Sequence, residues 1–197
     1  MTRVTSTAGA ARAADAAGPN RSQRLLVLIG GLPGAGKTRL LSRLLDPSPA
    51  GVVGLDSEQV TDRFRDAGIS APYGLVRPAV HAWHRLRVRR AIAGAAPVVV
   101  VTDPLTRPRR RRALIAAGRR SGREVRVVLL DVPPEAAVRG QERRHRMVSP
   151  RSMARHARGW RSFLSELAGD AGVQRADGAV VVRRAEVDRL GLQELVD

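Results

Sequence analysis

The chain has 197 residues, 43% of them apolar, and a formal net charge of +17, a length that holds one packed domain rather than two. It has no cysteine, which excludes disulfides, thiolate catalysis and cysteine-based zinc sites. No apolar run approaches the roughly 18 residues of a membrane span, and the start lacks the apolar core of a secretory signal, so a soluble, cytoplasmic domain without a membrane partner is expected.

Residues 1–23 are small, polar and aperiodic and are expected to form a flexible tail. The folded domain then runs over 24–197. "RLLVLIG" (24–30) reads as a buried strand entering a glycine loop, and "KTRLLSRLL" (37–45) as a helix. "VVGLD" (52–56) is a second strand ending in a carboxylate, followed by a helix over 57–68 with Gly68 as its stop. A turn-rich piece, "ISAPYGLVRP", precedes a helix over 79–95 whose apolar face is Val80, Trp83, Leu86 and Ile92. Strands are expected at 97–103, 124–131 and 178–184, with helices at 107–122, 133–147 and 149–169. Nearly continuous apolar strands alternating with helices indicate an α/β fold with a parallel sheet covered on both faces. Ligands in such sheets sit beyond the carboxyl ends of the strands. Asp56, Asp103 and Asp131 occupy three of those ends and the glycine loop a fourth.

"GLPGAGKT", residues Gly31, Leu32, Pro33, Gly34, Ala35, Gly36, Lys37 and Thr38, matches the phosphate-loop pattern between a strand and a helix. Glycines let successive backbone N–H groups turn inward toward an anion, and the following helix adds its positive end. Lys37 supplies a mobile charge for the β- and γ-phosphates, and the Thr38 hydroxyl suits Mg²⁺. A nucleoside-triphosphate site is expected. Lys37 is the only lysine, so the chain has no lysine for a guanine-reading Asn-Lys-x-Asp segment, and ATP is preferred to GTP.

Asp56 has two compatible readings: a carboxylate that orients an acceptor hydroxyl and takes its proton, or a cap on the helix beginning at Ser57. Asp103 is the expected Mg²⁺-side carboxylate, because its strand should neighbour the loop strand. Asp131 is expected to be a turn residue ahead of Pro133. Arg139, Arg143 and Arg146 recur at helical spacing and line one face, either converging on a triphosphate or forming a solvated basic surface. Arg144 points off that face and serves only if the helix ends early. The run Arg109–Arg112 reads as surface, and His81 with Arg85 as a pair beside the acceptor pocket. The basic excess itself has two readings, a GC-rich coding bias toward Arg or a nucleic-acid partner.

The phosphate loop, the strand-ending Asp56, "VVVVTD" and "DVPPEAAVRGQERRHRMV" together resemble the adenylate-kinase-like and polynucleotide-kinase-like branch of P-loop kinases. That branch includes the zeta toxins and bacterial "AAA family ATPase" proteins. The likeness runs from about Arg24 to about Leu167. It implies a P-loop NTPase three-layer sandwich with a five-stranded parallel sheet and a small helical lid around residues 140–155. It also implies that Arg139 lies over adenine and Arg143 approaches the phosphates. The polynucleotide kinases carry an arginine where this chain has Gln59, a departure that speaks against a polynucleotide acceptor. The expectation is therefore a Mg²⁺-dependent kinase moving the γ-phosphoryl of ATP to a hydroxyl of a small-molecule or nucleotide-like acceptor. The alternatives are an ATP-gated module acting on nucleic acid, and a toxin-like kinase acting on a sugar nucleotide.

Overall fold

A computed structural model describes residues 2–4, 24–68, 73–143, 147–168, 176–183, 186–187 and 190–192. The strands are β1 (Thr2–Val4), β2 (Leu25–Gly31), β3 (Val52–Leu55), β4 (Val98–Thr102), β5 (Glu124–Asp131) and β6 (Gly178–Arg183). The helices are α1 (Lys37–Leu44), α2 (Ser57–Asp66), α3 (Tyr73–Ala93), α4 (Pro108–Arg120), α5 (Pro134–Glu142) and α6 (Pro150–Ala168). The sheet order is β1-β6-β5-β2-β4-β3. The five strands expected from the sequence are mutually parallel, while β1 adds antiparallel to β6 at the edge. Three residues of the expected tail thus belong to the sheet, and residues 5–23 lie outside the described residues.

Every residue of β2 is buried, as befits the central strand of a sheet covered on both faces. Leu26, Val27, Leu28 and Ile29 meet Val99–Thr102 of β4 on one side and Val125–Val128 of β5 on the other. Each such side chain contributes about 1.5–3 kcal/mol by leaving water. The chain leaves β2 toward β3 at one edge and later crosses to β5 on the other side of β2, so the carboxyl end of β2 is a switch point of the sheet. The phosphate loop begins there. Val101 of β4 pairs with Leu55, which sets Asp56 beside Thr102, and the Asp103 amide donates 3.0 Å to the Ile29 carbonyl.

Two helices differ from expectation. Helix α3 begins at Tyr73 and contains Pro78, where proline chemistry had suggested a turn. The proline lies in the second turn, past the first-turn positions that tolerate it best, and removes one helical hydrogen bond there. Its inward face is Val80, His84, Val88 and Ile92, all buried, whereas Trp83 and Leu86 are exposed. Counting only apolar residues rotated the expected face, because a histidine occupies one inward position. Helix α5 ends at Glu142 with Arg143 as its C-cap residue, and residues 144–146 lie outside the described residues. Of the segment expected as a lid, 140–155, the described residues are the end of α5 with its C-cap Arg143, residues 147–149 and the start of α6.

Arginine has structural work here. Arg111, expected at the surface, is buried: it stacks 3.7 Å from the Phe163 ring centroid, pairs with Glu166 at 2.6 Å and donates 3.0 Å to the Leu105 carbonyl. Arg110 pairs with Asp103, so of Arg109–Arg112 only Arg109 and Arg112 are exposed. Buried Arg123 donates to the carbonyls of Ile92, Leu25, Pro97, Ala91 and Gly94, closing the C-terminal end of α3 onto the base of the sheet.

Candidate functional site

The loop Gly31–Thr38 turns from β2 into α1 through three glycines at positive φ, Gly31 at 151°, Gly34 at 88° and Gly36 at 99°. Gly34 is needed for a second reason. A Cβ there would lie 2.0 Å from the Ala137 carbonyl oxygen of α5. Gly140 returns the contact, since its Cβ would lie 2.3 Å from the Gly34 carbonyl oxygen. Buried Gln141 fastens the same junction, donating 3.0 Å to the Pro33 carbonyl while its Oε1 accepts from the Val148 amide at 2.9 Å. The base of α5 is thereby clamped against the loop.

Lys37 Nζ folds back across the loop, donating to the carbonyls of Gly31 at 2.8 Å and Leu32 at 2.9 Å. The Thr38 hydroxyl donates 3.0 Å to Asp56 Oδ2. The Thr102 hydroxyl donates to the same oxygen at 2.5 Å. Asp56 Oδ1 accepts from the Glu58 amide at 2.6 Å, and Gln59 completes a capping box. The cap expected of Asp56 is present, one oxygen capping α2 while the other accepts from Thr38 of the phosphate loop. Asp103 is engaged with other partners. Its Oδ1 accepts from the Leu105 amide at 2.9 Å and its Oδ2 pairs with Arg110, so the carboxylate bonded to Thr38 is Asp56. The bend that produces this includes Leu105 at φ 55°, uncommon for a non-glycine residue and held here by full burial and by Arg111.

A cavity of about 330 Å³ opens beside the loop, lined by Gly34–Gly36 and Arg39 of the loop side and by Val132, Ala136, Arg139, Gly140 and Arg143 of the α5 side. Arg139 and Arg143 therefore line one cavity beside the loop. Arg146 and Arg144 lie outside the described residues. Asp131 ends β5 and accepts from Trp160 Nε1 at 3.1 Å, an anchor for α6 rather than part of the site. His81 and Arg85 bond each other along the exposed side of α3, Arg85 Nε to the His81 carbonyl at 3.1 Å. Neighbouring His84 is the buried one, and burial, the largest influence, pushes its imidazole down to about 4. Asp56 and Asp103 pull the other way, while Arg110 and Arg87 reinforce the shift.

Sequence reasoning passed over Thr102, Arg39, Gln141 and Gly140. Thr102 had a signal, a lone hydroxyl ending a valine run, and so did Gly140, a glycine inside a helical pattern. Arg39 and Gln141 had none beyond proximity to the motif and to Arg139.

Among the described residues no group of three or more His, Asp or Glu is placed to hold a metal ion. The donors nonetheless fit a Mg²⁺ that arrives with a nucleotide. Such an ion takes most of its ligands from phosphate and water, and a Thr38 hydroxyl that donates its proton to Asp56 keeps its lone pairs for a cation.

The AAA domain pattern (AAA_33) matches residues 26–175, spanning β2 through α6. The chain belongs to this AAA domain family. Among solved structures it resembles a protein of the PezAT chromosomal toxin-antitoxin system of Streptococcus pneumoniae, with a TM-score of 0.56 and 19% identity over 83% of this chain and 68% of that one. It resembles a shikimate kinase from Acinetobacter baumannii, with a TM-score of 0.53 and 16% identity over 89% and 92%. It also resembles a gluconokinase from Sinorhizobium meliloti, with a TM-score of 0.50 and 16% identity over 90% and 91%. No curated protein sequence matches the chain. These likenesses identify the fold of this AAA domain as that of the P-loop kinases. No helix among the described residues is long and apolar enough to cross a membrane.

Proposed function

We propose that this protein is an ATP-dependent kinase that transfers the γ-phosphoryl group to a hydroxyl of a small acceptor. The observation that carries the reading is the bond from Thr38 to Asp56, which joins the phosphate loop to a carboxylate on the next strand end. The loop amides and Lys37 hold the triphosphate, Lys37 exchanging its loop carbonyls for phosphate oxygens. Arg139 lies against the base and Arg143 meets the transferring group, as the family resemblance implies. Thr38 would hold a Mg²⁺ arriving with the nucleotide, and the ion would supply neutralisation of charge at the phosphate oxygens. The acceptor hydroxyl attacks the γ-phosphorus from the Asp56 side. A new O–P bond forms, the bond to the β–γ bridging oxygen breaks with its electron pair leaving on ADP, and the hydroxyl proton passes to Asp56.

A small acceptor is favoured over a polynucleotide because part of the basic excess is internal. Arg111 and Arg123 are buried and committed to backbone carbonyls and to Glu166. Such arginines cannot neutralise a phosphate backbone. The test is Mg·ATP turnover screened against sugars, nucleosides, hydroxy acids and 5′-hydroxyl oligonucleotides. Phosphorylation of a small hydroxyl compound supports the reading. Nucleotide binding with no transfer, joined to oligonucleotide affinity that falls steeply with salt, would replace it with an ATP-gated nucleic-acid module.

A further inference from the structure

Helix α3 turns two polar atoms inward with no hydrogen-bond partner among the described residues: His84 Nδ1 and Arg87 Nη1. His84 is 4% exposed. The two residues are three apart and so share one helix face. An unpaired buried polar atom costs about 1–3 kcal/mol, and native proteins retain such atoms mainly where a ligand or reaction uses them. His84 lies within the electrostatic reach of the strand-end carboxylates Asp56 and Asp103. The charges acting on His84 are Asp56, Arg110, Asp103 and Arg87. The other arm of Arg87, Nη2, donates 3.2 Å to Gln59 Oε1, and Gln59 itself donates 3.2 Å to the Gly54 carbonyl beside Asp56. Arg87 is thereby tied through Gln59 to β3.

We infer that His84 and Arg87 form the acceptor-recognition face and that the acceptor carries an anionic oxygen, as a carboxylate or a phosphate, besides the hydroxyl that is phosphorylated. The inference rests on the kinase reading and adds the chemical class of its substrate. A guanidinium offers donors only, and this one has no acidic partner among the described residues. Arg63 lies near enough to add to the positive field and bears no acidic partner among them either. A neutral hydroxyl compound would leave that charge uncompensated, whereas a carboxylate or phosphate receives it in a charge-assisted bond. His84 is neutral at physiological pH, and its Nδ1 pairs with a substrate hydroxyl in either tautomer.

The experiment labels the histidine rings with ¹⁵N and follows the His84 resonance, assigned by its loss in His84→Gln. The loop is first saturated with Mg²⁺ and a non-hydrolysable ATP analogue, whose affinity is measured separately. Acetate, inorganic phosphate and neutral glycerol are then titrated. Acetate or phosphate is expected to move the His84 resonance saturably, and which of the two binds more tightly distinguishes carboxylate from phosphate. Glycerol should leave it in place. In Arg87→Gln the anion affinity should fall about tenfold or more, with partial recovery in Arg87→Lys and no change in exposed Arg85→Gln. Absence of an anion response, an equal response to glycerol, or wild-type titration in Arg87→Gln overturns the inference while leaving the kinase reading intact. Failure of the analogue to bind would remove the kinase reading, and this inference with it.

Discussion

Gly34 of the phosphate loop and Gly140 of α5 meet backbone to backbone, so closely that a methyl group at Gly140 would sit 2.3 Å from the Gly34 carbonyl oxygen. The loop is thus shaped partly from outside, by a helix a hundred residues further along the chain. Gly140→Ala is expected to force α5 away from the loop, at a cost of about 1–3 kcal/mol. That exceeds the helix-propensity gain of about 1 kcal/mol from replacing glycine. A lowered melting temperature together with weaker Mg·ATP binding is the expected pair of results. A more stable variant with unchanged affinity would show that the junction is loose.

The two strand-end carboxylates should respond differently to neutralisation. Asparagine still caps a helix, so Asp56→Asn should fold and bind nucleotide while turnover falls by roughly 10²–10⁴, the range of a lost general base. Asp103→Asn breaks the pair with Arg110 and should chiefly lower the melting temperature. Steady-state kinetics beside thermal melts for both variants decide the matter. A larger turnover loss in Asp103→Asn would restore the metal-side role first expected for it.

Arg139 and Arg143 line one cavity yet are assigned separate tasks. Stacking on a base is worth about 0.5–2 kcal/mol, so Arg139→Ala should raise KM for ATP roughly 2- to 30-fold with little change in kcat. Arg143→Ala should instead lower kcat, toward the roughly 10³–10⁵-fold loss of an arginine that meets the transferring group. Equal effects of both variants on KM alone would place neither at the reacting phosphate.

His84 gives the protein a pH signature. Its imidazole titrates near 6.5 when unfolded and at about 4 when folded, so the unfolded chain binds the proton first as pH falls. Stability is complete above about pH 6.5 and drains as pH drops toward 4, by on the order of 3 kcal/mol. Denaturant melts across that window should show a shallower decline in His84→Gln than in the wild type. Parallel declines would mean that the ring is not held neutral by its burial among Asp56, Asp103, Arg110 and Arg87.

Much of this arrangement was legible in the sequence. Strand β5 runs Glu124–Asp131 as its apolar pattern indicated, and "GLPGAGKT" lies at the end of the central strand because pattern and neighbouring elements agreed. The misses share a cause. Hydrophobic periodicity treats arginine and histidine as outward-facing, so it could not see His84 on the inner face of α3 or Arg111 stacked under α6. In a chain with 34 arginines among its 35 basic residues, a buried arginine has no local mark. Nor could spacing reveal that Thr38 bonds Asp56 rather than Asp103, because the turn at Leu105 that draws Asp103 toward Arg110 has a backbone conformation that leucine seldom adopts.

The central claim is that residues 31–38 grip a triphosphate through Lys37. Isothermal titration of Mg·ATP into the wild-type protein and into Lys37→Ala tests it most directly. One nucleotide per chain for the wild type, and loss of that binding in a variant that still melts cooperatively, is the predicted result. Equal heats in the two proteins, or none in the wild type, would contradict it.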